Sequence, residues 1–206
     1  MKSLHRPDLF GWSAFDEARN VDFHGTLWAR AEGNVVFDPM PLSAHDTKHV
    51  ESLGGVAWIL LTNADHVRAA RETAQRFGAR IAAPLAEREF AELGALDVAE
   101  WLEPDRVATP GVQCIAMRGS KTPGELAFLL PPGDTVVCGD LVRGQRAGSL
   151  NLLPDAKLTD KAAAIASVRA LASLPELCAV LVGDGCPVFR DGRARLEELV
   201  AASASA

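Results

Sequence analysis

The sequence predicts a layered fold of mixed α+β and α/β character, with helices outside stacked strands. Three observations carry that expectation. Two alternating apolar runs flank a turn in "FHGTLWARAEGNVVFDPMP"; a strand-helix-strand-helix order follows from Val56 to about Leu93; and strands return from about Val112 before the closing helices.

Each element has its local reason. In the first run Glu32-Gly33-Asn34 supplies turn chemistry, so the flanking segments read as a β-hairpin. "LSAHDTKHVESLGG" offers Ser43 as a helix cap and stops on Gly54-Gly55. "VAWILLT" is a continuous apolar run, as expected of a strand covered on both faces. Val67, Ala70, Ala74 and Phe77 then recur at helical spacing, "ARIAAP" reads as a strand, and a helix is expected near "LAEREFAEL". Downstream, "QCIAMRG", "GELAFLL" and "TVVCGD" read as strands, with Pro131-Pro132-Gly133-Asp134 turning between the last two. "TDKAAAIASVRALASL" is a helix capped by Thr159 or Asp160, "CAVLVGDG" a buried strand and "RDGRARLEELVAASA" a closing helix. There is no low-complexity segment and no usable repeat.

At 206 residues, nearly half of them apolar, the chain is expected to form one domain over residues 1–206. A net charge of −6 without a Lys/Arg cluster argues against a nucleic-acid partner. No apolar segment approaches the roughly 20 residues that span a bilayer, and "MKSLHRPDLFGW" lacks the apolar core of a secretory signal. A cytoplasmic protein without a membrane partner is expected. Cys114, Cys138, Cys178 and Cys186 have no close paired spacing, which fits free thiols in a reducing compartment.

Three apolar strands end on polar residues: "LLTNADH", "VVCGD" and "VLVGDG". Ligands gather at the carboxyl ends of strands in layered α/β folds, so Asp65, His66, Asp140 and Asp184 are candidates for one site. Plainer local readings stand beside this one. Thr62 or Asn63 would cap a helix with Asp65 in its first turn, and Asp140 and Asp184 would serve as turn residues. Cys138 and Cys186 read as small packing residues rather than reactive thiols, and His45 and His49 as a solvated helix face.

The order "FDP", "LLTNADH", "GSKTPGELAFLL", "VVCGD", "LVGDG", from about Val35 to Leu199, resembles the metallo-β-lactamase superfamily. The resemblance implies a four-layer αββα sandwich in a single domain. It also implies a site carried over position by position. The leading histidines of the family's His-x-His-x-Asp-His motif fall on Leu61 and Asn63, while its closing pair is kept as Asp65 and His66. The histidine before Thr-Pro-Gly is Lys121, the bridging aspartate is Asp140, and the last histidine is Asp184. All three histidines that serve one metal of the family's pair are therefore replaced. The positions serving the other, Asp65, His66, Asp140 and Asp184, keep residue types able to ligate.

Two functions follow as expectations. In the first, a metal-dependent hydrolase holds at most one divalent ion (zinc, manganese or iron) on Asp65, His66, Asp140 and Asp184. Asp65 and Lys121 take part in its chemistry, and Asn63 and Arg143 contact a small substrate with a hydrolysable carbonyl. In the second, no metal binds. Lys121 is then the fixed cation of a carboxylate network in a non-catalytic protein used for binding or assembly, a homodimer included.

Overall fold

The structure, a computed structural model, describes residues 1–204, and the chain divides into two compact units, residues 1–102 and residues from 103 onward. The first unit holds a seven-stranded sheet, built in sequence order from β1 (Lys2–Ser3), β2 (Leu9–Asp16), β3 (Val21–Trp28), β4 (Val35–Phe37), β5 (Trp58–Leu60), β6 (Arg80–Pro84) and β7 (Val98–Leu102). β1 to β4 pair antiparallel and β4 to β7 parallel. The change of sense comes where the connections lengthen enough to carry helices, α1 (Ala44–Ser52) between β4 and β5 and α2 (Ala70–Phe77) between β5 and β6. Ser43 caps α1 as expected, its hydroxyl accepting from the Asp46 amide. Trp12, Leu27, Val36, Ile59, Leu61, Ala70 and Ile81 form the core of this unit.

Two expectations need revising here. The helix read from Val67 begins only at Ala70, after a separate 3-10 turn at Ala64–His66. Thr62 does not cap it, because its hydroxyl donates to Asp38 at 2.6 Å instead. The helix expected near "LAEREFAEL" is a 3-10 turn at Leu85–Glu87 followed by the four-residue α3 (Ala91–Gly94). Glu87 explains the break: it is fully buried and accepts from the Ala64 amide at 2.5 Å, so it faces the interior as an anchor. β2, an eight-residue strand paired with β3 along its whole length, escaped the sequence reading.

The second unit carries β8 (Val107–Ala108), β9 (Val112–Ala116), β10 (Leu126–Leu130), β11 (Thr135–Cys138), β12 (Val142–Arg143), β13 (Asn151–Leu152) and β14 (Ala179–Val182). Five of them form a sheet in the order β14-β11-β10-β9-β8, while β12 and β13 pair separately. Neighbours in the five-stranded sheet run antiparallel except β11 and β14, which are parallel because α4 (Lys161–Ala172) lies between them in sequence. Asp160 caps α4 by accepting from the Ala163 amide. α5 (Gly192–Ala204) closes the chain. Val136, Cys138, Val168, Leu171, Val180 and Leu196 belong to this unit's core.

Candidate functional site

In the first unit the parallel pairing of β4 with β5 puts Phe37 opposite Leu60, so the residues just past both strands emerge side by side. Asp38 emerges from one, and Thr62, Asn63 and His66 from the other. Asp38 receives the Thr62 amide at 2.9 Å, the Thr62 hydroxyl, and contacts His66 Nδ1 at 2.7 Å. A guanidinium N–H of Arg68 lies 3.0 Å from His66 Nε2. Arginine has no acceptor, so Nε2 must carry the lone pair and the proton sits on Nδ1, facing Asp38. His66 is thus neutral, with its metal-competent nitrogen covered by a cation.

Arg68 is held in this place from three sides. It donates to the His24 carbonyl at 3.0 Å, sits 5.2 Å from the Phe23 ring centroid and contacts His66. Asp38 and Arg68 both adopt left-handed backbone, with φ of 45° and 41°. For residues with a Cβ that conformation is costly, and such strain concentrates where a precise side-chain direction is maintained. Asn63 is buried at the start of the 3-10 turn, and Asp65 is exposed on it.

In the second unit the parallel pair β11 and β14 sets Cys138 opposite Val182. Asp140 and Asp184 each lie two residues further on, at the same end of neighbouring strands. Both are buried, at 4% and 2% exposure, and both face a cation. Lys121 Nζ is 2.9 Å from Asp140 Oδ2, and Arg143 pairs closely with Asp184. Buried Glu125 sets the first pair: it accepts from the Leu141 amide at 2.8 Å and from the Ser120 hydroxyl, tying the loop before Lys121 to the loop after Asp140. A backbone clasp sets the second, in which the Gly144 amide donates to the Asp184 carbonyl at 3.0 Å. A Cβ on Gly144 would lie 2.0 Å from the Cys186 carbonyl oxygen, so only glycine permits this approach. Burial, with Glu125 nearby, pushes the Cys138 thiol far above its ordinary range, which leaves Cys138 a core residue.

A family model described as the metallo-beta-lactamase superfamily matches residues 1–203. The chain belongs to that superfamily. Solved structures agree on the metallo-β-lactamase fold. A metallo-β-lactamase from Pontibacter korlensis is similar at TM-score 0.75 and 14% identity, covering 98% of this chain and 97% of that one. A metallo-β-lactamase family protein from Thermus thermophilus is similar at TM-score 0.70 and 18% identity, covering 97% and 80%. The enzyme FIM-1 from Pseudomonas aeruginosa, solved in a mono-zinc form, is similar at TM-score 0.72 and 16% identity, covering 95% and 91%. At these identities the likeness carries the fold and nothing finer. No curated protein matches the chain.

Within the superfamily's pattern, the first metal position does not fit this chain. Leu61 is fully buried in the apolar core of its unit, Asn63 is an amide, and Lys121 brings a positive charge where the third histidine would stand. At the second position His66, Asp140 and Asp184 are buried residues of ligating type. Each of them is engaged by a cation of its own unit: His66 by Arg68, Asp140 by Lys121, Asp184 by Arg143. The resemblance pointed to Asp65, His66, Lys121, Asp140 and Asp184, and of these Asp65 is exposed on its 3-10 turn while His66, Asp140 and Asp184 are buried. It gave no role to Asp38, although "FDP" was in the matched order, and none to Arg68.

Proposed function

We propose that this chain is a metal-independent member of the superfamily, a ligand-binding protein in which side-chain cations do the electrostatic work of the metal pair. The observation that carries this reading is the 2.9 Å contact between Lys121 and Asp140. A lysine at this position sets a positive charge against the bridging carboxylate, and a divalent ion bound there would meet its repulsion. What the cations offer a ligand is directed N–H groups. Arg143 Nε and the Thr122 hydroxyl are buried without a hydrogen-bond partner among the described residues, two positions that suit oxygen acceptors. A small molecule with a carbonyl or carboxylate oxygen is the class of ligand that matches them.

A second reading, a hydrolase with one divalent metal on His66, Asp140 and Asp184, is favoured by one observation. His66 is held by Asp38 in the tautomer that presents Nε2, as histidine ligands commonly are. Metal content of protein purified without chelator or a metal-binding tag separates the two. Metal far below one ion per chain, also after incubation with zinc, manganese or iron, is expected of the fixed-cation protein. One ion per chain that disappears in an Asp140→Ala, Asp184→Ala variant would overturn the metal-independent reading and favour the hydrolase one.

A further inference from the structure

Thr159 and Asp160 stand together before α4 as alternative caps, and the structure gives them different tasks. Asp160 caps the helix, accepting from the Ala163 amide at 2.9 Å. Thr159 holds the loop that leads into Lys121. Its hydroxyl donates to the Ser120 carbonyl at 2.7 Å, and its amide is shared between the Gly119 and Ser120 carbonyls at 3.1 and 3.3 Å. Further along α4 the Ser167 hydroxyl donates to the Arg118 carbonyl at 3.1 Å. The consecutive carbonyls of Arg118, Gly119 and Ser120 thus all rest on α4 and the residue before its cap. Gly119 permits the approach: its φ is 82°, and a Cβ there would lie 2.2 Å from the Asp160 carbonyl oxygen and 2.4 Å from the Ala164 amide nitrogen. On its other side the loop is tied by the Ser120 hydroxyl, which donates to buried Glu125.

A partly exposed lysine gains little from an ion pair when the whole of its long side chain must be ordered to make it. Lys121 is 27% exposed and still meets Asp140 at 2.9 Å. Backbone fixed immediately before it removes part of the ordering cost, because the side chain then starts from one place and one direction. We infer that the N-terminal half of α4 is the positioning element of the fixed cation: through Gly119, Thr159 and Ser167 it holds Arg118–Ser120 and so sets Lys121 against Asp140. This rests on the fixed-cation reading above and deepens it, since the ammonium is held by a helix and not by its carboxylate alone. Gly119, Thr159 and Ser167 act through Lys121 and are positioning residues.

The test is the Lys121→Met, Asp140→Asn double-mutant cycle, read as a ratio of unfolding constants in urea and repeated in three backgrounds of the intact chain. Gly119→Ala pushes the loop off α4, and the pair Thr159→Val, Ser167→Ala removes the two hydroxyl donors. Leu171→Ala is the comparator, a core truncation on the same helix that touches none of the loop contacts. In Gly119→Ala, and in Thr159→Val, Ser167→Ala, the coupling ratio is expected to fall at least about fivefold from its value in the unaltered background. In Leu171→Ala it is expected to stay within about twofold although stability is lost. If Gly119→Ala does not fold, the hydroxyl variant decides alone. A coupling ratio unchanged in the folded loop variants, or one that falls as far in Leu171→Ala, would overturn the positioning role while leaving the fixed cation in place. A ratio near one already in the unaltered background would instead overturn the fixed-cation reading, and the positioning role with it.

Discussion

Lys121 Nζ and Asp140 Oδ2 lie 2.9 Å apart, with the aspartate side chain 5% exposed and the lysine 27%. A carboxylate so far removed from water needs a fixed positive partner, because burying an unpaired charge costs several kcal/mol. In a metalloenzyme the ion is that partner. Here an ammonium on the residue before Thr122-Pro123-Gly124 supplies the charge, so the same buried carboxylate stays compatible with a stable fold.

Arg143 is expected to matter to stability in the same way. Arg143→Leu leaves Asp184 buried without its cation and should cost about 3 kcal/mol in urea denaturation. The double variant Arg143→Leu, Asp184→Leu removes both charges and should be more stable than the single one. Equal loss in both variants would mean that the packing of Arg143, and not its charge, carries the effect.

The neutral state of His66 is directly observable. With Arg68 donating to Nε2 and Asp38 facing Nδ1, nitrogen-15 spectra of the imidazole should show a protonated Nδ1 and an unprotonated Nε2 at neutral pH. Addition of zinc should leave both signals in place. Asp38→Asn removes the charged acceptor and should broaden or shift the Nδ1 signal, with a stability loss of about 2 kcal/mol.

The cysteines should divide sharply by reactivity. Cys178 and Cys186 are exposed, while Cys114 and Cys138 are buried. Because burial raises the Cys138 pKa, its thiolate is scarce at pH 8, and alkylation depends on the thiolate. Iodoacetamide on the native protein should modify Cys178 and Cys186 only, as read by mass spectrometry, with the other two reacting after unfolding.

Much of this arrangement is legible in the sequence where chemistry and position coincide. The strand ends carrying Asp140 and Asp184 show as apolar runs stopped by Gly-Asp, and parallel pairing with Cys138 opposite Val182 then makes them neighbours. Lys121 stands out because it precedes Thr-Pro-Gly where the resemblance expects histidine. Arg68 could not be found in this way. Its place depends on a left-handed backbone between the 3-10 turn and α2, and on Phe23 and the His24 carbonyl, about 45 residues earlier on β3. Glu87 was hidden for a similar reason: read as part of an amphipathic helix, it is in fact buried to hold the Ala64 amide. Periodicity reports which residues face water or the core. It does not report a buried polar anchor, whose partner is set by tertiary structure.

The claim that Lys121 is the cation of Asp140 is tested most directly by a double-mutant cycle of Lys121→Met and Asp140→Asn, followed by denaturant unfolding with and without added zinc. The fixed-cation account predicts a coupling of about 2 kcal/mol, below that of a fully buried pair because Lys121 is partly exposed, and no effect of zinc on the wild type. A coupling near zero, together with wild-type stability that rises with zinc concentration, would contradict it.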